Sequence, residues 1–252
     1  MKETYNWKSL FAAIGIILVG VILCLISTDT QAPWDTVWLS IGCSLIASGL
    51  VILMHDFFVE RKEVSLLDEW KIDRIYSTRA EKNADSDPEL AKTKYCVDAL
   101  AFGLGSFRSK QTPKVEACLR NGVNFRILTM DPESPYVAVR DAEENKKAGT
   151  TKYSIEQLVE WADRLNAKGF RGKIIVKGYS TMTLDFYWRV DDTVYVGPYW
   201  YGVDSQQTIT YKFLSGGKGF TQYTEYFENL WENGNLCKPL TKVSQIKSRK
   251  KK

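Results

Sequence analysis

The sequence predicts an α/β protein, with an N-terminal transmembrane helical hairpin followed by an α/β/α domain that has a mixed sheet. Two uncharged apolar segments, 10–27 and 37–54, lie close together near the start of the 252-residue chain. Beyond residue 95, apolar runs rich in β-branched residues alternate with helical patterns, which is typical of βαβ units. The chain therefore has room for the hairpin and one domain of ordinary size.

Each of the two apolar segments is long enough to cross a bilayer. Roughly 17 to 25 apolar residues span about 30 Å of hydrocarbon. A cleaved signal peptide is the alternative for the first segment, but its apolar run is long and a second run follows after a few polar residues. We predict a transmembrane hairpin over 1–58, with spans of about 10–27 and 37–57.

The basic residues that flank the spans predict the orientation of the hairpin. Lys2 and Lys8 precede the first span, Arg61 and Lys62 follow the second, and the loop 28–36 contains no basic residue. Basic residues accumulate on the cytoplasmic side of a membrane. Both termini are therefore expected in the cytoplasm, with the hairpin in a bacterial inner membrane.

Small residues recur along the predicted spans. Ser40, Ser44 and Ser48 share one face of the second helix, and Gly20 gives the first helix a small patch. Small residues permit close contact between helices in a membrane. Packing within one hairpin explains this pattern; the alternative is self-association of several hairpins, with the serine stripe lining a pore.

The remainder of the chain divides into three parts by composition. We interpret 59–88 as a juxtamembrane helix with a linker, 89–236 as the α/β domain and 237–252 as a basic tail. Five basic residues between Lys247 and Lys252 exceed the net charge of +4, so the rest of the chain is not basic. This argues against a domain that binds nucleic acid through bulk charge, although the tail itself can hold anionic lipid or nucleic acid.

Within the domain, hydrophobic patterns predict an ordered series of elements. A strand, a helix and a strand form the first βαβ unit, two helices follow, and the remainder is richer in strands. Ser154 and Gln157 have the spacing of a capping box, and Asp191 and Asp192 predict a tight turn. The predicted strands are 96–104, 123–130, 173–177, 183–190, 193–196 and 208–213; the predicted helices are 113–121, 134–147, 154–168 and 220–231.

Three segments of this domain resemble the phospholipase D-like fold. They are Ala-Phe-Gly-Leu-Gly-Ser-Phe at 101–107, Asn-Gly-Val-Asn-Phe-Arg-Ile-Leu-Thr-Met-Asp-Pro at 121–132, and Val-Asp-Asp-Thr-Val-Tyr-Val-Gly at 190–197. The segment 75–83 is similar to the lead-in of some bacterial members. The resemblance extends over about 67–231 and implies a phospholipase D-like α/β/α domain, which often pairs with a second copy.

Active members of that family carry the motif HxKxxxxD, in which the histidine attacks phosphorus. With Asp191 at the aspartate position, Leu184 and Phe186 stand where the histidine and lysine belong. The only histidine of the sequence, His55, falls at the end of the second span. The domain therefore cannot supply a histidine nucleophile or base, and the resemblance implies a degenerate member that is not an enzyme and needs no cofactor or metal.

Polar residues that follow the predicted strands are the candidates for ligand binding. Ligands of α/β proteins collect at the carboxyl ends of parallel strands. Gly103 and Gly105 lack the third glycine of a dinucleotide fingerprint, so we interpret them as residues of a turn or a close contact. The candidate ligand-binding residues are Ser106, Arg108, Lys110, Tyr187, Arg189 and Asp191.

A two-helix anchor joined to a small cytoplasmic sensor resembles the effectors of bacterial anti-phage systems of the retron or cyclic-oligonucleotide type. The resemblance implies a non-enzymatic toxin of abortive infection that senses a nucleic-acid, nucleotide or protein signal and disrupts the inner membrane. Expected partners are membrane lipid, further copies of the chain in a homo-oligomer, and either a reverse transcriptase with its DNA/RNA product or a cyclic nucleotide. The alternatives are a membrane-tethered phosphodiesterase, nuclease or phospholipase, and a passive tether.

Overall fold

The computed structural model describes residues 7–55 and 61–243, and the chain divides into two compact units, Met1–Asp68 and Glu69–Lys252. Lys2 and the tail beyond residue 243 lie outside the described residues. The helices are α1 (Trp7–Asp29), α2 (Trp34–His55), α3 (Arg61–Trp70), α4 (Arg79–Leu90), α5 (Gly105–Arg120), α6 (Tyr136–Glu143), α7 (Thr150–Ala167) and α8 (Lys218–Glu232). The strands are β1 (Ile72–Tyr76), β2 (Cys96–Leu100), β3 (Asn124–Met130), β4 (Ile174–Tyr179), β5 (Asp185–Val190), β6 (Thr193–Pro198), β7 (Thr210–Leu214) and β8 (Cys237–Pro239).

The first unit contains two helices, α1 and α2, that are long and apolar enough to cross a membrane. They meet through glycines: a Cβ added at Gly42 would lie 2.7 Å from the carbonyl oxygen of Gly20. The serine stripe does not take part in this contact. Ser44 and Ser48 are exposed, and their hydroxyls donate to the carbonyl oxygens of Ser40 and Ser44 at 2.9 and 2.8 Å. Packing inside the hairpin therefore explains the glycines but not the serines.

The second unit is built on one eight-stranded sheet in the order β1-β7-β6-β5-β2-β3-β4-β8. Strands β2, β3 and β4 are parallel, and every other pairing in the sheet is antiparallel. The predicted fold class, an α/β domain with a mixed sheet preceded by two apolar helices, is confirmed.

Alternation along the central strands assigns side chains to two faces of the sheet. Phe186 and Trp188 of β5 pack with residues of α5 and α7 on one face. Tyr187 points to the other face, where it stacks on Phe227 of α8 with ring centroids 5.1 Å apart. The sheet is thus covered on both sides, and neighbouring residues of β5 serve different layers.

The segment between the hairpin and β2 differs from the prediction. Helix α3 ends at Trp70, strand β1 pairs with β7, and the end of the predicted linker, up to residue 88, lies inside α4. A capping box starts α4: Oγ1 of Thr78 accepts the N–H of Glu81 at 3.2 Å, while Oε2 of Glu81 accepts the N–H of Ser77 at 3.1 Å. Residues assigned to a linker therefore form part of the sheet unit.

Smaller differences occur at three other places. Helix α5 starts eight residues before the predicted helix, at Gly105, and α7 starts at Thr150, so Ser154 lies inside the helix instead of capping it. At the far end, Cys237–Pro239 pairs with β4, although the basic tail was expected to start there. Asp191 and Asp192 form the predicted turn between β5 and β6.

A buried ion cluster joins β2, β3, β5 and α8. Asp98 of β2 is fully buried, and its two carboxylate oxygens accept bonds from Arg126 of β3 at 2.7 and 2.8 Å. The same guanidinium bonds to Glu228 of α8 at 2.6 and 2.8 Å. Arg189 of β5 approaches Asp98 at 3.6 Å. Because each of these charges has an opposite partner, the cluster fixes the register of the central strands with α8.

We expect Arg126→Met to lower the free energy of unfolding by about 3–5 kcal/mol, because it leaves the carboxylate of Asp98 buried without its main partner. Urea unfolding of the full chain in dodecyl maltoside micelles, followed by tryptophan fluorescence, measures this change. The control is Arg120→Met: the Arg120 side chain is 60% exposed in its pair with Glu116, so little change is expected. An equal decrease in the free energy of unfolding of both variants would contradict the stabilising role of the buried ion cluster.

Candidate ligand-binding site

A cavity of about 320 Å³ opens where β2 ends, beside β5 and helices α4, α5 and α7. Its volume lies at the lower end of the range for small-molecule sites. Aromatic rings and polar groups share its lining, and two cationic side chains come from α4. The lining includes Arg79, Lys82, Asn83, Asp87, Phe102, Ser106, Glu144, Phe186, Trp188, Tyr199, Asp204 and Gln206.

Arg79 is 4% exposed and lies against two rings of the cavity. Its guanidinium carbon is 4.2 Å from the ring centroid of Phe186 and 4.9 Å from that of Tyr199. Nη2 donates to Oγ1 of Thr208 at 3.2 Å, whereas Nε has no hydrogen-bond partner among the described residues. Burial lowers the pKa of this guanidinium.

Lys82, one helical turn further along α4, is 2% exposed. Its Nζ lies 5.3, 5.2 and 4.8 Å from the ring centroids of Phe186, Trp188 and Tyr195. Among the described residues, Nζ donates one long hydrogen bond, of 3.4 Å, to Oδ1 of Asn83. Burial, followed by the nearby charge of Arg79, lowers the pKa of Lys82 to about 7.

No carboxylate of the described residues lies within 4.0 Å of Lys82 or Arg79. The acids that line the cavity are engaged elsewhere. Glu144 pairs with Arg140 and Lys146, Asp87 accepts from Gln111, and Asp204 accepts the N–H of Gln206 at 2.7 Å. The cavity therefore contains two cations that lack close counter-charges and three acids that already have partners.

The N-terminus of α5 also faces this cavity. Its N-cap residue, Leu104, has a left-handed backbone with φ +49° and makes no side-chain cap, and Ser106 in the first turn lines the cavity. Helix α7 is different, because Asp141 accepts the N–H groups of Gly149 and Thr151 at 2.7 and 2.9 Å. Free N–H groups at a helix start favour an anion, so α5 adds to the positive potential.

The two positions that the phospholipase D resemblance aligns with the motif histidine and lysine lie near this end of β5. Phe186, at the lysine position, lines the cavity and contacts Arg79 and Lys82. Leu184, at the histidine position, is 70% exposed and precedes the strand. The positive charge beside Phe186 thus comes from α4 and not from β5.

Of the three candidates after β2, the structure brings Ser106 to the cavity. Arg108 is engaged in the fold: its Nε donates to the carbonyl oxygen of Gly103 at 2.8 Å and its Nη1 to that of Gln157 at 3.3 Å. Lys110 is exposed on α5 and does not line the cavity.

The three candidates on and after β5 do not reach the cavity. Tyr187 and Arg189 alternate with Phe186 and therefore point to the α8 face, where Arg189 lies 5.2 Å from the ring centroid of Phe220. The carboxylate of Asp191 accepts the backbone N–H groups of residues 94–96 at 2.8–3.1 Å. Asp191 thus fixes the chain that enters β2.

Sequence reasoning missed Arg79 and Lys82, because their segment was interpreted as a linker. Two local signals were present. Thr78 and Glu81 have the spacing of a capping box, which marks a helix start. Arg79 and Lys82, three residues apart, then lie on the same helix face.

Fold and cavity together define an α/β protein with two apolar N-terminal helices and a partly aromatic, cationic cavity. No protein-family model matches the chain, and no curated protein matches it significantly.

Solved structures that match this chain include three with low sequence identity. TrmBL2, an archaeal chromatin protein described with a novel mode of DNA binding, has a TM-score of 0.37 and 10% identity, over 76% of this chain and 68% of that one. Phosphatidylserine synthase of Haemophilus influenzae Rd KW20 has a TM-score of 0.45 and 13% identity, over 62% of this chain and 36% of the synthase. NucT from Helicobacter pylori has a TM-score of 0.39 and 8% identity, over 66% of this chain and 98% of NucT.

Gly103 lies in the loop between β2 and α5, and Gly105 is the first residue of α5. We expect Gly103→Ala to lower the free energy of unfolding by about 1–3 kcal/mol, because Gly103 has φ +47° and its added Cβ would lie 1.9 Å from Oγ of Ser154. Gly105→Ala is the control, since nothing lies within 4 Å of its added Cβ and alanine favours a helix. Urea unfolding of both variants as full chains measures the difference; equal stability would contradict the close-contact role of Gly103.

Proposed function

We propose that this chain is a membrane-anchored, non-enzymatic effector: its α/β domain binds an anionic signal in the cavity, and its helical hairpin then disrupts the bacterial inner membrane. The observation that carries this proposal is the chemistry at the cavity. Leu184 and Phe186 can neither attack phosphorus nor carry charge, while Arg79 and Lys82 present buried cations beside Phe186. Such an arrangement favours binding of an anion over its hydrolysis.

We assign the disruption of the membrane to helix α2. Its serine stripe is exposed and faces away from the glycine contact with α1. In a bilayer, a row of small residues permits a close approach by a helix of another copy. We propose that hairpins of several copies associate through Ser40, Ser44 and Ser48, with both termini of each chain in the cytoplasm.

An anti-phage role follows from the resemblance of this architecture to effectors of retron and cyclic-oligonucleotide systems. In such a system the signal is a cyclic nucleotide, or a reverse transcriptase with its DNA/RNA product, and the output is abortive infection. Both kinds of signal carry phosphate groups, which suits a cationic cavity.

We expect production of the full chain with its genomic neighbours to depolarise bacterial cells on phage infection, and Ser44→Leu to abolish the depolarisation, because leucine prevents close helix contact. A potential-sensitive dye in single cells measures the response. Ser44→Ala is the matched control: it keeps the small size, so depolarisation is expected to persist at equal protein levels. Depolarisation by the Ser44→Leu variant would contradict the helix-contact mechanism.

The enzymatic alternative is tested separately with purified full chain in dodecyl maltoside micelles. We expect no turnover of bis(p-nitrophenyl) phosphate, single-stranded DNA or phosphatidylglycerol, because no residue at the motif positions can form a phosphoenzyme. Turnover that co-purifies with the chain, and that is lost when the cavity cations are replaced, would overturn the non-enzymatic proposal.

A further inference from the structure

We propose that the cavity binds the phosphate group of a nucleotide-sized small molecule through Lys82 and Arg79, with the first turn of α5 completing the anion site. The inference rests on the proposed function in that it names the ligand class of the sensing site. Neither cation belongs to the family motif, and neither was a candidate from sequence.

The two cations converge on one side of the cavity. Both lie within 5.3 Å of the ring centroid of Phe186, and both are nearly inaccessible to solvent. Nε of Arg79 has no described partner, and the ammonium of Lys82 has one long bond. A phosphate group would supply the acceptors that these donors lack.

The energetic cost of this arrangement supports a binding role. Taking an ammonium out of water has a large free-energy cost unless a counter-charge compensates. The aromatic rings beside Lys82 offset part of that cost. The compensation is incomplete, since burial still lowers the pKa of Lys82 to about 7. Replacement of buried charged groups by apolar residues of similar volume is often neutral or stabilising, so the stability of the empty domain does not account for this lysine.

Charged groups around Lys82 come from several elements. On α4 itself, Arg79 disfavours the charged form, while Asp87 and Glu89 favour it. Glu89 is shared with the neighbouring strands, because it accepts bonds from Tyr195 of β6 and Lys212 of β7. Asp87 is held from α5, where Gln111 bonds to its carboxylate and Lys114 to its carbonyl oxygen at 3.1 Å. Neither acid is therefore free to neutralise Lys82.

The rest of the cavity suits the remainder of a nucleotide. Phe102 and Tyr199 lie 4.7 Å apart between ring centroids and offer an apolar wall for a flat ring system. The side-chain amides of Asn83 and Gln206, joined by a 3.0 Å bond, supply both donors and acceptors. A cavity of about 320 Å³ also exceeds what an isolated anion would need.

The first experiment measures binding by calorimetry, with the full chain in dodecyl maltoside micelles at about pH 8. Adenosine 5′-monophosphate, glycerol 3-phosphate and inorganic phosphate are titrated in turn. We expect all three to bind, with adenosine monophosphate the tightest. Lys82→Met should weaken each by about 10- to 100-fold without loss of thermal stability. Lys110→Met is the matched control, an exposed lysine on α5 whose replacement should leave binding unchanged.

The number of protons taken up on binding is a second measurement. It would not change if Lys82 had only a structural role. At about pH 8 the empty site holds Lys82 mostly neutral, and a bound dianion raises its pKa, so binding should take up close to one proton. Inorganic sulfate, a dianion throughout, should cause this uptake at about pH 8 and little at about pH 6. Titrations in buffers of different ionisation enthalpy measure it. Lys82→Arg should bind without proton uptake, because arginine stays charged.

The outcomes separate this inference from the proposed function. Binding that survives Lys82→Met unchanged, or wild-type binding without proton uptake, would overturn the site. Glycerol 3-phosphate binding as tightly as adenosine monophosphate would favour a lipid headgroup over a nucleotide and overturn the ligand class. Tight, Lys82-dependent binding in a chain that never depolarises cells would leave the site standing and remove the effector function.

Discussion

The junction of β2 with β5 determines how charge is distributed over the sheet. On the α8 face, Asp98 and Arg126 neutralise each other inside the protein and are closed off by Glu228 and by aromatic rings. On the opposite face, the buried side chains of Lys82 and Arg79 contact aromatic rings. Buried cations would be expected to contact carboxylates instead. The first arrangement locks the register of the strands and so makes the second possible, because Phe186 can support cations only while β5 is held in place.

Much of the fold followed from local patterns. The apolar segments near the start, the βαβ unit and the strand-rich second half were all predicted, since hydrophobic periodicity and turn residues specify them directly. Pairing of β1 with β7 was not, because the partners are far apart in sequence and β1 has a polar, half-exposed pattern typical of an edge strand. Because β1 was not predicted, nothing in the sequence indicated that the charged helix α4 is part of the domain.

The site was less predictable, and the reason is geometric. The candidates on β5 were chosen because they lie next to the motif positions in the sequence. Side chains alternate along a strand, so Tyr187 and Arg189 point to the α8 face. The carboxylate of Asp191 accepts hydrogen bonds from backbone N–H groups. Ser106 was found because the segment that follows a parallel strand is a general ligand position. The sequence around Lys82 does not indicate that its side chain is buried. The burial is evident only from the folded structure, in which rings of β5 and β6 surround the ammonium.

Strand β1 lies at the edge of the sheet and is joined directly to α4, which carries both cavity cations. Edge segments open more readily than central ones, and each opening exposes only part of the unit to solvent. Detachment of β1 and α4 would remove Arg79 and Lys82 from the cavity. The cationic lining of the cavity therefore depends on the pairing of one edge strand, β1, with β7.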